Sequence, residues 1–199
     1  MRLFVALVPP DEAVEHLDSF LEVRRGAAPY RWATSEQFHV TLAFLADVEE
    51  RRLDELEERL ARAAVRRTPF ETAIAGGGAF PNAGRARVLW AGLDLDERGR
   101  TEIDRLATGC RAAANRAGIE VDGQRFRPHV TVARLGRPAE VSNFVRLLDG
   151  YAGPRWPADR ITLVASHLGE GPRGRPRYDN VGEFALAGGR AGRDASPAS

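Results

Sequence analysis

One short sentence of sequence occurs twice. His39-Val40-Thr41-Leu42-Ala43 returns ninety residues later as His129-Val130-Thr131-Val132-Ala133, with a single conservative change, in a chain that has only four histidines. β-Branched Val and Thr favour the pleated strand, so the repeat reads as two similar strands. Strand side chains alternate between faces. In the first copy Phe38, Val40, Leu42 and Phe44 fall on one face, with His39, Thr41 and Ala43 on the other. In the second, Phe126, Val130 and Val132 oppose Arg125, Arg127, His129, Thr131 and Ala133. Each strand therefore offers an imidazole and a hydroxyl about 7 Å apart by strand rise, away from its apolar face. The small Ala43 and Ala133 leave room beside them, and strict alternation turns Arg134 away.

The remaining pattern predicts a mixed α+β chain. Leu3 to Val8 reads as a buried strand ending at Pro9-Pro10, too short to span a bilayer. Asp11 is placed as the cap of a helix with Val14, Leu17 and Leu21 on one face. Residues 30–46 read as extended, and Leu53, Leu56 and Leu60 predict a helix over 49–67. Strands are expected at 69–75 and 86–95, with Gly76-Gly77-Gly78 and Pro81-Asn82-Ala83-Gly84 as turns. A helix over 96–117 carries Ile103, Leu106, Cys110 and Ala113 on one stripe, so Cys110 reads as a small buried hydrophobe. Extended segments follow at 120–135 and 160–168 around a short helix at 140–148, and a last strand at 178–186. Helices interleaved with strand pairs suggest one α+β domain over 1–187. Residues 188–199, rich in Gly, Ala, Ser and Arg, are expected to form a disordered tail.

Composition removes several chemistries. All 29 basic residues are Arg. Without lysine there is no lysyl-nucleotide ligase intermediate, no pyridoxal Schiff base and no Walker A loop. A net charge of +1 argues that any nucleic-acid contact is local. The single cysteine forms no internal disulfide, which fits a reducing cytoplasm. No His-Glu-x-x-His and no Cys pair marks a metal site, and the expectation is no metal and no cofactor.

Imidazole exchanges protons near neutral pH, and two of them can act as base and acid. Thr hydroxyls donate to anionic oxygens, and guanidinium groups suit phosphate. Two proton carriers, two donors and nearby Arg point to displacement at phosphorus without a metal.

On these residues the chain resembles the two-histidine phosphoesterase superfamily, and within it the bacterial RNA 2′,3′-cyclic phosphodiesterases, also called 2′-5′ RNA ligases. The resemblance runs to about Leu186. It includes Arg2–Leu7 with Pro9-Pro10, Arg31-Trp32, Phe80-Pro81, Arg87–Gly92, Phe126–Arg134, and Ser166 with Tyr178. Ala46 and Ala165 depart from the family pattern, which usually has Gly and an acidic residue there.

The resemblance implies two pseudo-symmetric lobes, each an antiparallel sheet backed by helices, facing a groove that carries one motif from each. It implies His129 as general base, His39 as general acid, and Thr41, Thr131 and Arg134 as phosphate-binding. Because Arg134 contacts phosphate in the family, its strand should bulge or end there. Arg127, His167 and Tyr178 are further substrate-binding candidates, and the Arg-rich loop 169–177 is a candidate basic flap. The expected activity is metal-independent opening of terminal 2′,3′-cyclic phosphates to 2′-phosphates, with possible reverse ligation, by a monomer acting on RNA ends such as tRNA fragments. Alternatives are a phosphodiesterase of small cyclic nucleotides or ADP-ribose cyclic phosphate, or a noncatalytic nucleotide- or RNA-binding module.

Overall fold

The computed structural model describes residues 1–188, so the tail expected at 188–199 lies, apart from Gly188, outside the described residues. Nine strands and four α-helices follow among the described residues, in the order β1 (Leu3–Leu7), α1 (Asp11–Arg25), β2 (Arg31–Trp32), β3 (Val40–Leu45), α2 (Leu53–Val65), β4 (Phe70–Phe80), β5 (Ala86–Asp94), α3 (Glu97–Arg116), β6 (Val130–Ala139), α4 (Ser142–Asp149), β7 (Ala152–Ala158), β8 (Arg160–His167) and β9 (Arg177–Ala185). The sheet order is β7-β4-β5-β6-β3-β1-β8-β9, with β2 also beside β6. Every pairing is antiparallel.

The two lobes are the halves of this ladder. β7, β4, β5 and β6 form one and β3, β1, β8 and β9 the other, joined by the single pair Val40–Val130. The repeated motifs thus meet at the centre of the molecule. Each half has the same core unit, strand-helix-strand: β1-α1-β3 in one and β5-α3-β6 in the other. The helices tie the halves together, because α1 packs on β7 and β4 of the opposite half while α3 packs on β3 as well as β4. Leu17, Leu56, Leu60, Ile103 and Leu106 are fully buried in this layer, each contributing about 1.5–3 kcal/mol through removal of apolar surface from water. Cys110 sits in the same interior, and burial pushes its thiol up to about 12. It is an unreactive packing residue.

Several local expectations are corrected. Asp11 does not cap α1; Pro10 occupies the cap position, and Asp11 and Glu12 lie in the first turn, where acidic groups complement the helix dipole. The extended stretch over 30–46 is interrupted by a 3-10 turn at Ser35–Gln37, capped by Thr34 and Gln37. Residues 120–129 form no strand, so β6 starts only at Val130. The sequence pattern missed β7 because Pro154 and Pro157 argue against a strand; β7 lies at the sheet edge, where a missing N–H breaks no inner ladder.

Gly76-Gly77-Gly78 is not a turn but the middle of β4. Gly76 takes the left-handed conformation at φ +71° where the ladder slips register. A Cβ on Gly77 would lie 2.3 Å from Leu148 Cβ of α4, and one on Gly78 would lie 2.2 Å from an atom of the Trp90 ring. These glycines let a helix and an indole lie directly against the strand.

Candidate active site

The groove takes its shape from a β-bulge repeated in both motifs. On β1–β3, Val5 pairs with Ala43 and the next residue, Ala6, pairs with Thr41, so Leu42 is the extra residue. On β5–β6, Leu89 pairs with Ala133 and Trp90 with Thr131, so Val132 is extra. An extra residue reverses the alternation beyond it. Leu42 with Ala43, and Val132 with Ala133, consequently all enter the core. The expected room beside the threonines is therefore not supplied by Ala43 and Ala133. The same bulge returns Arg134 to the groove face, as the family resemblance implied, and brings Phe44 to the matching position in the other half.

The register at the centre explains how the motifs meet. Around the antiparallel pair Val40–Val130, one step either way sets His39 opposite Thr131 and Thr41 opposite His129. Directly opposed side chains on one face lie about 4.5–5.5 Å apart at Cβ. All four line one cavity of about 410 Å³ together with Arg134, Tyr178, Arg31, Gln37 and Arg175. Among the described residues no carboxylate lines it. Guanidinium groups in a cleft without acids make a local field for an anion in a chain whose net charge is only +1.

Each imidazole is held from behind. His39 stacks on Phe4 at 4.5 Å between centroids and meets Tyr178 edge-on at 5.5 Å. His129 meets Phe80 edge-on at 4.9 Å and Trp90 at 6.0 Å. Nδ1 of His129 donates to the Arg127 carbonyl at 2.7 Å, and the Gln37 backbone, likewise two residues back, favours the charged form of His39. A carbonyl only accepts, so Nδ1 of His129 carries the hydrogen and Nε2 is left to exchange a proton.

Burial lowers the pKa of both rings. His39 is pushed down to about 4, chiefly by desolvation and further by the charges of His129 and Arg134, against the Gln37 backbone hydrogen bond. His129 is lowered by desolvation and by Arg134 and Arg127, against its own carbonyl partner. The linkage has a definite sign. Between pH 6.5 and about 4 the unfolded chain protonates His39 while the folded chain does not, so stability is lost as pH falls through that window. Wild type is expected to lose on the order of 2 kcal/mol more than His39→Ala between about pH 7 and pH 4, after allowance for water at the groove edge of the ring. Urea unfolding at the two pH values checks this; equal losses in both proteins would show the ring to be freely hydrated.

The other candidates divide. Tyr178 lines the cavity, with its phenol pKa raised by burial. Arg127 is exposed and lies 5.8 Å over the Phe80 and Trp90 rings, outside the cavity lining. His167 does not line it either; its Nε2 is 3.0 Å from Asp179, where it helps fasten the end of β8 to β9. Arg125 sits in the irregular segment before β6 and is exposed. His16 is exposed on α1 and hydrogen-bonds Tyr151 at 2.9 Å. Among the described residues no three His, Cys, Asp or Glu side chains gather as a metal-binding group. Arg31 was missed as a site residue, although the pairing of β2 with β6 sets it directly beside Arg134. Its only signal was the Arg31-Trp32 resemblance. Phe4, Phe80 and Trp90 were missed too, since apolar residues supporting a ring look like ordinary core.

Comparison with known proteins agrees with this architecture. The family model described as LigT like phosphoesterase matches residues 7–90 and 93–173. An RNA 2′,3′-cyclic phosphodiesterase of Archaeoglobus fulgidus is 37% identical over 147 residues, covering 73% of this chain and 80% of the relative. The crystal structure of TT0787 of Thermus thermophilus superposes with a TM-score of 0.72 at 30% identity, covering 94% of this chain and 99% of that one. E. coli LigT complexed with 3′-AMP gives 0.71 at 27% identity, covering 93% and 97%. With the family model matched along most of the chain and the overall fold shared, the protein belongs to the LigT-like phosphoesterase family.

Proposed function

We propose that this phosphoesterase is a metal-independent hydrolase of terminal 2′,3′-cyclic phosphates on RNA. The observation that carries the reading is the cross-paired square of His39, Thr131, Thr41 and His129 in a groove lined by arginines and, among the described residues, by no carboxylate. The curated relative from A. fulgidus bears that activity in its name, and a nucleoside monophosphate is bound by the E. coli neighbour.

His129 Nε2 takes a proton from water as the water oxygen bonds to phosphorus. The bond from phosphorus to the ribose 3′ oxygen breaks, and His39 gives that oxygen a proton. The product is a 2′-phosphate, with one water consumed. Thr41, Thr131 and Arg134 hold the nonbridging oxygens, where charge accumulates in the transition state. In the free protein His39 is neutral at neutral pH; an anionic phosphodiester beside it offsets Arg134 and favours the imidazolium the acid must be. With a ribose 5′-hydroxyl in place of water, the same displacement breaks the bond from phosphorus to the 3′ oxygen, which leaves with the proton of His39, and forms a 2′-5′ linkage with no nucleotide cofactor, which suits a chain without lysine. Both motifs come from one chain, so the site is complete in a monomer, and the lone buried thiol suits the cytoplasm. RNA ends such as those of cleaved tRNA are the substrate class.

Incubation of an RNA ending in a 2′,3′-cyclic phosphate with the protein in EDTA, without ATP, tests this. A 2′-phosphate product at an undiminished rate is expected. Complete loss in EDTA, restored by a divalent ion, would refute the two-imidazole scheme.

A further inference from the structure

The groove does not end at the histidines. A second cavity of about 350 Å³ adjoins the first, and the two share Gln37, Arg175, Pro176 and Tyr178 in their walls. Its far side is built from Ser35 and Glu36 of the 3-10 turn with the capping Thr34, from the loop residue Pro172, and from Arg177 at the start of β9. The two arginines of this wall differ in what they are free to do. Arg177 is engaged by Glu170 and Asp179, which anchors the base of the loop. Arg175 lies within ion-pair distance of no carboxylate among the described residues and stands between the two cavities. Arg173 and Gly174, both left-handed (φ 55° and 71°), turn the chain just before it.

We infer that the second cavity is the subsite for the nucleotide preceding the cyclic end, and that Arg175 holds the phosphodiester joining the two. The inference rests on the phosphodiesterase reading and adds to it a preference for oligonucleotides over mononucleotides. If the terminal nucleoside and its cyclic phosphate fill the cavity with the histidines, the chain must continue with a phosphate that carries one negative charge. The guanidinium at the junction, free of any carboxylate among the described residues, is the group suited to it. Thr34 and Gln37 are occupied with each other in the capping of their turn. The Ser35 hydroxyl and the Glu36 carboxylate remain as acceptors for a ribose hydroxyl or a base amine.

The test compares kcat/KM for adenosine 2′,3′-cyclic phosphate, a trinucleotide ending in that group, and the same trinucleotide with a neutral methylphosphonate at the linkage before the last nucleoside. Wild type should prefer the charged trinucleotide to the mononucleotide by about 10-fold or more, one order being what a charge-assisted phosphate contact supplies. The methylphosphonate should lose most of that preference. Arg175→Ala should equalise the charged and neutral trinucleotides and flatten the salt dependence of the charged one by about 0.7 in log–log slope. Ser35→Trp, which fills only the second cavity, should lower trinucleotide turnover and spare the mononucleotide. Equal kcat/KM for mononucleotide and trinucleotide in wild type, or discrimination between the two linkages that survives Arg175→Ala, overturns the subsite and leaves the phosphodiesterase reading standing. No turnover of any cyclic phosphate overturns both.

Discussion

Turnover of a cyclic phosphate end should fall about 10²–10⁴-fold when either His39 or His129 is replaced by Ala, the usual contribution of a positioned acid or base. Neither ring belongs to the main core, so far-UV circular dichroism should stay that of wild type. The two losses should differ in how they are rescued. A phosphodiester whose leaving oxygen is far more acidic than a ribose hydroxyl needs little protonation as it departs. It should restore most of the rate to His39→Ala and little to His129→Ala, because the missing base is still required to activate water. Equal rescue of both variants, or rescue of His129→Ala alone, would reverse or remove the assignment of roles.

The second large effect is expected at Arg134. Arg134→Ala should lower kcat/KM by about 10²–10³-fold, as for loss of one preorganised donor to developing charge. Arg134→Lys should recover only part of this, since a point charge does not reproduce the fork. The substitution has a second readout. The Arg134 charge helps to lower both imidazoles, so the pH profile of kcat/KM in Arg134→Ala should shift to higher pH on both limbs. A variant that loses activity with its profile unmoved would place the guanidinium away from the histidines in solution.

In the two-imidazole scheme one ring must begin neutral and the other protonated, so a bell-shaped pH profile is expected, with limbs that belong to the coupled pair rather than to either ring.

The two motifs were legible because they rest on local rules, whereas the two halves were expected only from the family resemblance. Alternation identified the His and Thr of each copy as one face, and helical periodicity found α3 nearly to its ends and the body of α2, whose expected first turn is instead a 3-10 turn at Glu50–Arg52. The edge strand β7 was hidden by its prolines, and the glycines of β4 looked like a turn, because whether a proline or glycine is tolerated depends on what lies beside it. At Gly77 and Gly78 that neighbour is a helix or an indole contributed from more than ten residues away.

The chemistry of the site divides along the same line. The sequence by itself determined which side chains can carry protons and bind an anion, since a repeated His-x-Thr and an all-Arg basic set are statements about residue identity. It also determined that two such strands exist. Only the tertiary structure decided that the register of the Val40–Val130 pair brings His39 and Thr131 to one cavity, that Arg31 comes beside Arg134, and that His167 stays outside the cavity lining. The bulges at Leu42 and Val132 decided which residues face the groove, because a single extra residue in a strand reverses every position after it, and that residue is defined only by the partner strand it fails to match.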